Sequence, residues 1–271
     1  MISYAKRPIA APSANLFSHV SPTSAGHVFH DLYVSPISII DGPNSTFGVE
    51  STVVKVLPSL DLQILRFGSI SPQALISFLE ESPFSSKLII SPQQKKNVAE
   101  INESTESPGQ LLKHYSPHCS TFLLQIQNTL NPLKTADTNL LNTEVHIETE
   151  ETNDKVKEIN KSRPSSSQIL KKSILLDFAG VGLGLAPFLL AYEDLSEKGE
   201  ILEAMARLYE KLRWAENIEG VEQIFILDLE SFFKEELKLP EFYETVYDKT
   251  YRSSSGKKVT YDVGSKEFLD F

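Results

Sequence analysis

Ser173-Ile174-Leu175-Leu176-Asp177-Phe178 is the stretch whose reading decides the fold. It is a short apolar run, and it predicts a β-strand. Downstream, Ile201, Met205, Leu208, Tyr209 and Leu212 recur at a spacing of three to four, which predicts a helix over residues 199–215. Residues 221–229 read as the next strand and residues 241–253 as a last helix. Upstream, residues 121–126 read as a strand. Strand and helix alternate, so the region from 119 to 271 is expected to be a small α/β domain.

Two segments inside that domain need separate treatment. Residues 128–172 are rich in Asn, Thr, Ser, Lys and Glu and poor in aromatics. That composition predicts a disordered insertion, or a weakly held helix with floppy flanks. Gly180-Val181-Gly182-Leu183-Gly184 follows a strand, but its glycines are spaced G-x-G-x-G rather than G-x-G-x-x-G. A tight, close-packed turn is expected there, not a dinucleotide loop. The apolar stretch 174–192 is interrupted by Asp177, three glycines and Pro187, so it does not read as a membrane span.

Towards the N-terminus, residues 1–94 also have α/β texture. Strands are expected at residues 8–11, 37–40, 52–57 and 62–65. Helices are expected at residues 22–32 and 72–81, each opening with Ser-Pro, a cap followed by proline in the first turn. Residues 95–118 read as a polar linker that carries Ser107-Pro108-Gly109 and ends in His114-Tyr115-Ser116-Pro117.

Charge and cysteine content narrow the possible functions. The net charge of −10 is concentrated after residue 118, where 18 Lys/Arg face 27 Asp/Glu. An acidic half repels a phosphate backbone, so any RNA role should act through a small molecule or a local patch. Cys119 is the single cysteine, which rules out an internal disulfide and fits a reducing, cytoplasmic setting; with no membrane-span pattern, no membrane partner is expected. Residues 1–14 lack the pattern of a signal peptide.

The chemistry-bearing run is Pro8-Ile9-Ala10-Ala11-Pro12-Ser13-Ala14-Asn15, followed by Ser21-Pro22-Thr23. An apolar segment ends in a proline turn, and small side chains let backbone N–H groups approach a ligand. Ser21 is expected to start a helix whose first N–H groups attract anions. On residue types alone, a strand end with a capped helix and no ligand is the better explanation of the run.

This string resembles the signature of the YrdC-like threonylcarbamoyl-AMP synthases. The resemblance continues through Ile40-Asp41-Gly42, Gly48-Val49-Glu50-Ser51-Thr52-Val53, Leu65-Arg66-Phe67-Gly68, Ser107-Pro108-Gly109 and His114-Tyr115-Ser116-Pro117. The last motif is similar to the linker of the long form, which joins the catalytic domain to a smaller Rossmann-like domain. Tyr192-Glu193-Asp194-Leu195-Ser196, Gly199, Glu203-Ala204 and Leu212-Arg213 look like the helix region of that second domain.

The resemblance implies a nucleotidyltransferase that makes threonylcarbamoyl-AMP and pyrophosphate from L-threonine, bicarbonate and ATP, with Mg²⁺ accompanying the ATP. The product would pass to the machinery that builds threonylcarbamoyladenosine on tRNA. Carried over by motif, Ala11 and Ser51 would contact threonine, and Ser13, Ser21, Arg66 and Tyr115 would contact ATP. The implied architecture is the C-terminal half of a YrdC-like twisted α/β sheet domain over residues 1–94, the linker 95–118, and a Rossmann-like domain over 119–271.

The chain also departs from the family pattern. The family places a Lys/Arg cluster and a threonine-binding strand upstream of the proline-rich run, and only seven residues precede Pro8 here. The expectation is therefore little or no turnover from this chain alone. Gln110 stands where the family usually has methionine. The other readings are a truncated, non-catalytic homologue that binds nucleotide or a partner, and the related carbamoyl-transfer domain of hydrogenase maturation. His114 and His118 are four apart, but Pro117 between them argues against a helical metal pair, and Cys119 is too isolated to complete a zinc site. Ser13, His27 and Asp31 are triad residue types without an ordering feature, and His27 is expected to cap or pack.

Overall fold

The computed structural model describes residues 2–83, 87–90, 114–127 and 164–271. Ser107-Pro108-Gly109, Gln110 and residues 128–163 of the expected insertion lie outside the described residues. The first part of the chain forms α1 (Ile2–Ala5), α2 (Ala25–Leu32), β1 (Val53–Val56), β2 (Leu62–Arg66), α3 (Pro72–Glu81) and β3 (Leu88–Ile90). β1 and β2 pair antiparallel, β3 adds in parallel to β2, and a register shift between Val53 and Val54 bends the edge strand.

The Ser-Pro expectation holds at α3, where the Ser71 hydroxyl accepts the Ala74 N–H at 3.1 Å and Pro72 opens the first turn. It fails at Ser21-Pro22. There the helix starts three residues later, capped by Ser24, whose hydroxyl accepts the His27 N–H at 3.3 Å. His27 completes the cap as expected of it: its Nδ1 accepts the Thr23 N–H at 3.2 Å. Residues 8–11 and 37–40 are not strands. Among the described residues no neighbouring strand pairs with them, and Pro8, Pro12 and Pro36 have no N–H to give a ladder.

The second part forms β4 (Ser120–Gln127), α4 (Ser166–Leu170), β5 (Ser173–Asp177), β6 (Ala191–Asp194), α5 (Ile201–Glu216), β7 (Gln223–Leu227), α6 (Leu229–Phe232), α7 (Tyr243–Ser253), β8 (Lys258–Asp262) and β9 (Glu267–Phe268). The sheet order is β6-β5-β7-β4-β8-β9, parallel throughout except for β9. The α/β class read from the sequence therefore holds. The usual dinucleotide-binding order would place β4 against β5, whereas here β7 lies between them.

The central strands are buried on both faces, which is why they read as continuous apolar runs. Ile174, Leu176, Ile224, Ile226 and Leu123 face α5 and α7, with Met205, Leu208, Leu212 and Val246 in the same core. Leu175, Phe225 and Leu124 face the other way and pack with Ile169, Leu170, Val259 and Tyr261. Ile169 and Leu170 belong to α4, inside the segment expected to be a disordered insertion. Residues 164–172 are folded because these two side chains join that core and a Ser165/Gln168 capping box closes the helix start. Tyr192 to Asp194, expected in a helix region, form the end of β6, and α5 begins only at Ile201. Among the described residues no helix is long and apolar enough to cross a membrane.

The glycine turn after β5 is closed by carboxylates, as a packed turn requires. Asp177 Oδ2 accepts the Gly182 N–H at 2.8 Å and the Tyr192 hydroxyl at 2.7 Å, and Asp194 Oδ2 accepts the Gly180 N–H at 2.7 Å. The amides that a dinucleotide loop would turn towards phosphate are thus already taken.

The two parts of the chain meet through a buried ion pair. Arg213, on the apolar face of α5, donates to Asp31 of α2 at 2.9 and 2.7 Å and to the Val20 and Ser21 carbonyls. Both side chains are almost wholly buried. Despite burial, the Arg213 and His19 hydrogen bonds hold the Asp31 carboxyl far below the usual carboxylate range.

Two stability predictions follow from these contacts. Removing one partner of a buried pair leaves the other charge uncompensated, so Arg213→Met should cost about 3–5 kcal/mol in urea denaturation. Arg213→Met combined with Asp31→Asn should cost less than the sum of the two single changes. At Asp177, burial outweighs the Tyr192, Phe178 and Gly182 donors and raises the pKa from 3.8 to about 6. Between those values the native carboxyl holds a proton that the unfolded one has released. Stability should therefore fall by roughly 3 kcal/mol as pH rises from about 4 to about 6, and stay lower above. Asp177→Asn should flatten that part of the pH–stability curve.

Candidate active site

The motifs separated in sequence converge on Glu50. It sits in Gly48-Val49-Glu50-Ser51-Thr52, a run pressed between the two parts of the chain. A Cβ on Gly48 would stand 2.2 Å from the Ala206 carbonyl oxygen of α5, and Gly48 has φ +67°. Only glycine permits that backbone-to-backbone approach. On the other side, Gly68 packs so closely that a Cβ would lie 2.4 Å from the Glu50 carbonyl oxygen. The Ser69 N–H donates to that oxygen at 3.0 Å, and the Thr52 hydroxyl donates to the Ile70 carbonyl at 2.7 Å. These contacts lock the Leu65–Gly68 motif against the Gly48–Thr52 motif.

The Glu50 carboxylate accepts hydrogen bonds from the Ser21 hydroxyl and, at 3.1 Å, from the Tyr209 hydroxyl of α5. The Lys249 ammonium of α7 lies 3.6 Å from it and 3.5 Å from Asp248, whose other oxygen accepts Arg252 Nε at 2.7 Å. Burial opposes the charged form of Glu50, but Lys249, Ser21 and Arg66 together hold its pKa below the usual value. Burial likewise drives the fully buried Lys249 pKa down, against the carboxylates of Asp248 and Glu50. Each charge of the pair replaces part of the water that the other has lost.

Tyr115 closes the cluster from the linker. It adopts φ 58°, is 1% exposed, and its ring lies 4.5 Å under Lys249 Nζ and 5.4 Å from the Tyr209 ring. Lys249 Nζ donates to the Tyr115 hydroxyl at 3.4 Å. His114 packs edge-on at 4.0 Å, and burial pushes its pKa down to about 4, so it is neutral near pH 7. At the open end, Arg66 donates to the Ser51 carbonyl and hydroxyl, both at 3.1 Å.

Ser21, Ser51, Arg66 and Tyr115 are therefore brought into one cluster. Ala11 and Ser13 are not. They lie exposed on the extended stretch before α2 and do not join this hydrogen-bond network among the described residues. Ser13, His27 and Asp31 form no triad, because His27 is engaged with Thr23 and Asp31 with Arg213 and His19. Sequence reading did not identify Glu50, Tyr209 and Lys249 as site residues. The available signal was Tyr209, a hydroxyl on the apolar stripe of α5. The hub offers no ligand set for Mg²⁺, since its central carboxylate is occupied by Ser21, Tyr209 and Lys249. Chemically, the arrangement presents an arginine and two hydroxyls beside a rigid cation–carboxylate hub, which suits an anionic ligand.

Comparison with known proteins bears on the family and the fold. A family model described as "Threonylcarbamoyl-AMP synthase, C-terminal domain" matches residues 71–254, and one described as "Telomere recombination" matches residues 1–68. Threonylcarbamoyl-AMP synthase of Bacillus subtilis is 38% identical over 111 residues, 41% of this chain and 29% of the relative. The Pyrococcus abyssi protein of the same name is 34% identical over 125 residues, 46% of this chain and 34% of the relative. That of Schizosaccharomyces pombe is 38% identical over 129 residues, 45% and 29% respectively. The matched stretches thus span about a third of these relatives. A crystal structure of P. abyssi Sua5 complexed with L-threonine superposes with a TM-score of 0.62 at 21% identity, covering 96% of this chain and 61% of that one, which establishes the shared fold. One family model alone accounts for more than half of the residues, in the order the motifs require, and the chain belongs to the threonylcarbamoyl-AMP synthase family.

Proposed function

We propose that this chain serves L-threonylcarbamoyladenylate synthesis, a nucleotidyl transfer in which L-threonine, bicarbonate and ATP give threonylcarbamoyl-AMP and pyrophosphate. Supporting this reading is the convergence of Ser21, Ser51, Arg66 and Tyr115, from four separated motifs, around one buried Glu50–Lys249 hub. In this reaction the carboxylate of N-carboxythreonine attacks the α-phosphorus and pyrophosphate leaves. Such a transfer needs positioning and charge neutralisation rather than a covalent nucleophile. Arg66 would meet phosphate oxygens, and Ser51, held by Arg66, would face threonine. Ser21, Ser13 and Ala11 would line the remaining contacts. Mg²⁺ would arrive with ATP as part of the substrate. Tyr115, buried in the present arrangement, would reach the nucleotide only by a shift of the linker. The adenylate would then pass to the tRNA-modifying machinery, in the cytoplasm.

The assay is ATP-dependent pyrophosphate release with threonine and bicarbonate, alongside ATP affinity by titration. It should be run on this chain and on a fusion that places the upstream half of a relative's catalytic domain before it. The fusion should turn over. A fusion that binds nucleotide without releasing pyrophosphate would favour the non-catalytic reading instead. In the fusion, Arg66→Ala should weaken nucleotide or transition-state binding by about 2–5 kcal/mol. Arg66→Lys should recover part of that, because an ammonium lacks the two-pronged fork. Lys249→Met should destabilise the fold by about 3–5 kcal/mol through the Glu50 charge it strands. Lys249→Met with Glu50→Gln should restore part of the stability, read by urea denaturation.

A further inference from the structure

His118 has a histidine partner that no local spacing reveals. His19, at the end of the first extended stretch, stacks on it with ring centroids 4.2 Å apart. Glu216, the last residue of α5, lies against both: His19 Nε2 is 2.9 Å from Glu216 Oε1, and the His118 backbone N–H donates to Glu216 Oε2 at 3.0 Å. One ligand atom from each of the three side chains lies within 4.8 Å of the others. His19 and the Glu216 side chain are buried, while His118 is exposed.

The remaining nitrogen of His19 is also fixed. Nδ1 lies 3.1 Å from Asp31 Oδ2, and Asp31 is itself gripped by Arg213. A carboxylate behind an imidazole is the outer arrangement that sets the tautomer and aim of a metal-binding histidine. An imidazolium bridging Asp31 and Glu216 accounts for the positions of His19 and Glu216. It gives no role to the His118 imidazole stacked beside them.

We propose that His19, His118 and Glu216 form a binding site for a divalent transition ion of the zinc class, with His19 bound through Nε2 and water completing the coordination. Two imidazoles and one carboxylate suit zinc or cobalt(II) rather than magnesium or calcium, which take oxygen ligands. The three ligands come from the N-terminal stretch, the linker and the end of α5. A bound ion would therefore fasten the linker where it enters β4. This site is separate from the Glu50 hub and does not depend on the proposed reaction.

The test uses the whole chain, stripped with chelator and titrated with Co²⁺, then with Zn²⁺ in competition. One equivalent of Co²⁺ should bind, with the visible absorption of a four- or five-coordinate ion, and Zn²⁺ should displace it and raise the melting temperature. His118→Ala and Glu216→Gln should each weaken binding by at least about tenfold. His118→Ala, changed at an exposed position, should melt like the parent without metal and lose the zinc-dependent rise. Should that variant fail to fold, His118→Gln takes its place. Cys119→Ser, next in sequence but outside the set, should bind like the parent. Failure to bind one equivalent would overturn the proposal. So would undiminished binding in both His118 variants, or loss of binding in Cys119→Ser.

Discussion

An ammonium group sealed from water keeps its charge only where carboxylates replace its hydration, and Lys249 imposes that condition on the rest of this molecule. Asp248 supplies one carboxylate from the same helix, and Glu50 supplies the other from nearly two hundred residues away. Meeting the demand forces the Gly48–Thr52 run onto α5 and α7. Once there, Glu50 also collects Ser21 and Tyr209, and the ring of Tyr115 fills the space beneath the ammonium. The arrangement of the candidate site is thus a by-product of solvating one buried cation.

The Arg213–Asp31 pair repeats the logic about one turn along α5 from Tyr209. Together the two pairs explain why helices of low hydrophobicity are so deeply set. In α7, Thr245, Asp248, Lys249, Thr250 and Arg252 are all buried, and hydrogen bonds and ion pairs take the place of apolar packing. Such networks position groups better than they stabilise. Each ion costs several kcal/mol to desolvate and regains it only in one geometry.

How much of this was legible in the sequence depends on the range of the signal. β4, β5, β7, α3, α5 and α7 were readable because each carries a local apolar run, period or cap. β6 and β8 were not, because Glu193 and Lys258 interrupt their apolar pattern for ion pairs with distant residues, and Asp194 does so to accept the Gly180 and Ser196 N–H groups. The strands expected at 8–11 and 37–40 failed for the opposite reason: their local propensity has no ladder to join. At the site, the motifs pointed to Ser21, Ser51, Arg66 and Tyr115. They could not reveal that Tyr209 and Lys249 bind the same carboxylate, since no short spacing encodes a contact between helices and a loop so far away in the chain.

The contact of Gly48 with Ala206 has a mechanical meaning. Where two elements touch through side chains, rotamers absorb small displacements before the backbone feels them. Here the backbone of the loop rests on the backbone of α5, with no side chain between to act as a cushion. A push on one is a push on the other, so the loop and the helix belong to one rigid body. Any hinge that opens the candidate site must therefore bend elsewhere than at this seam.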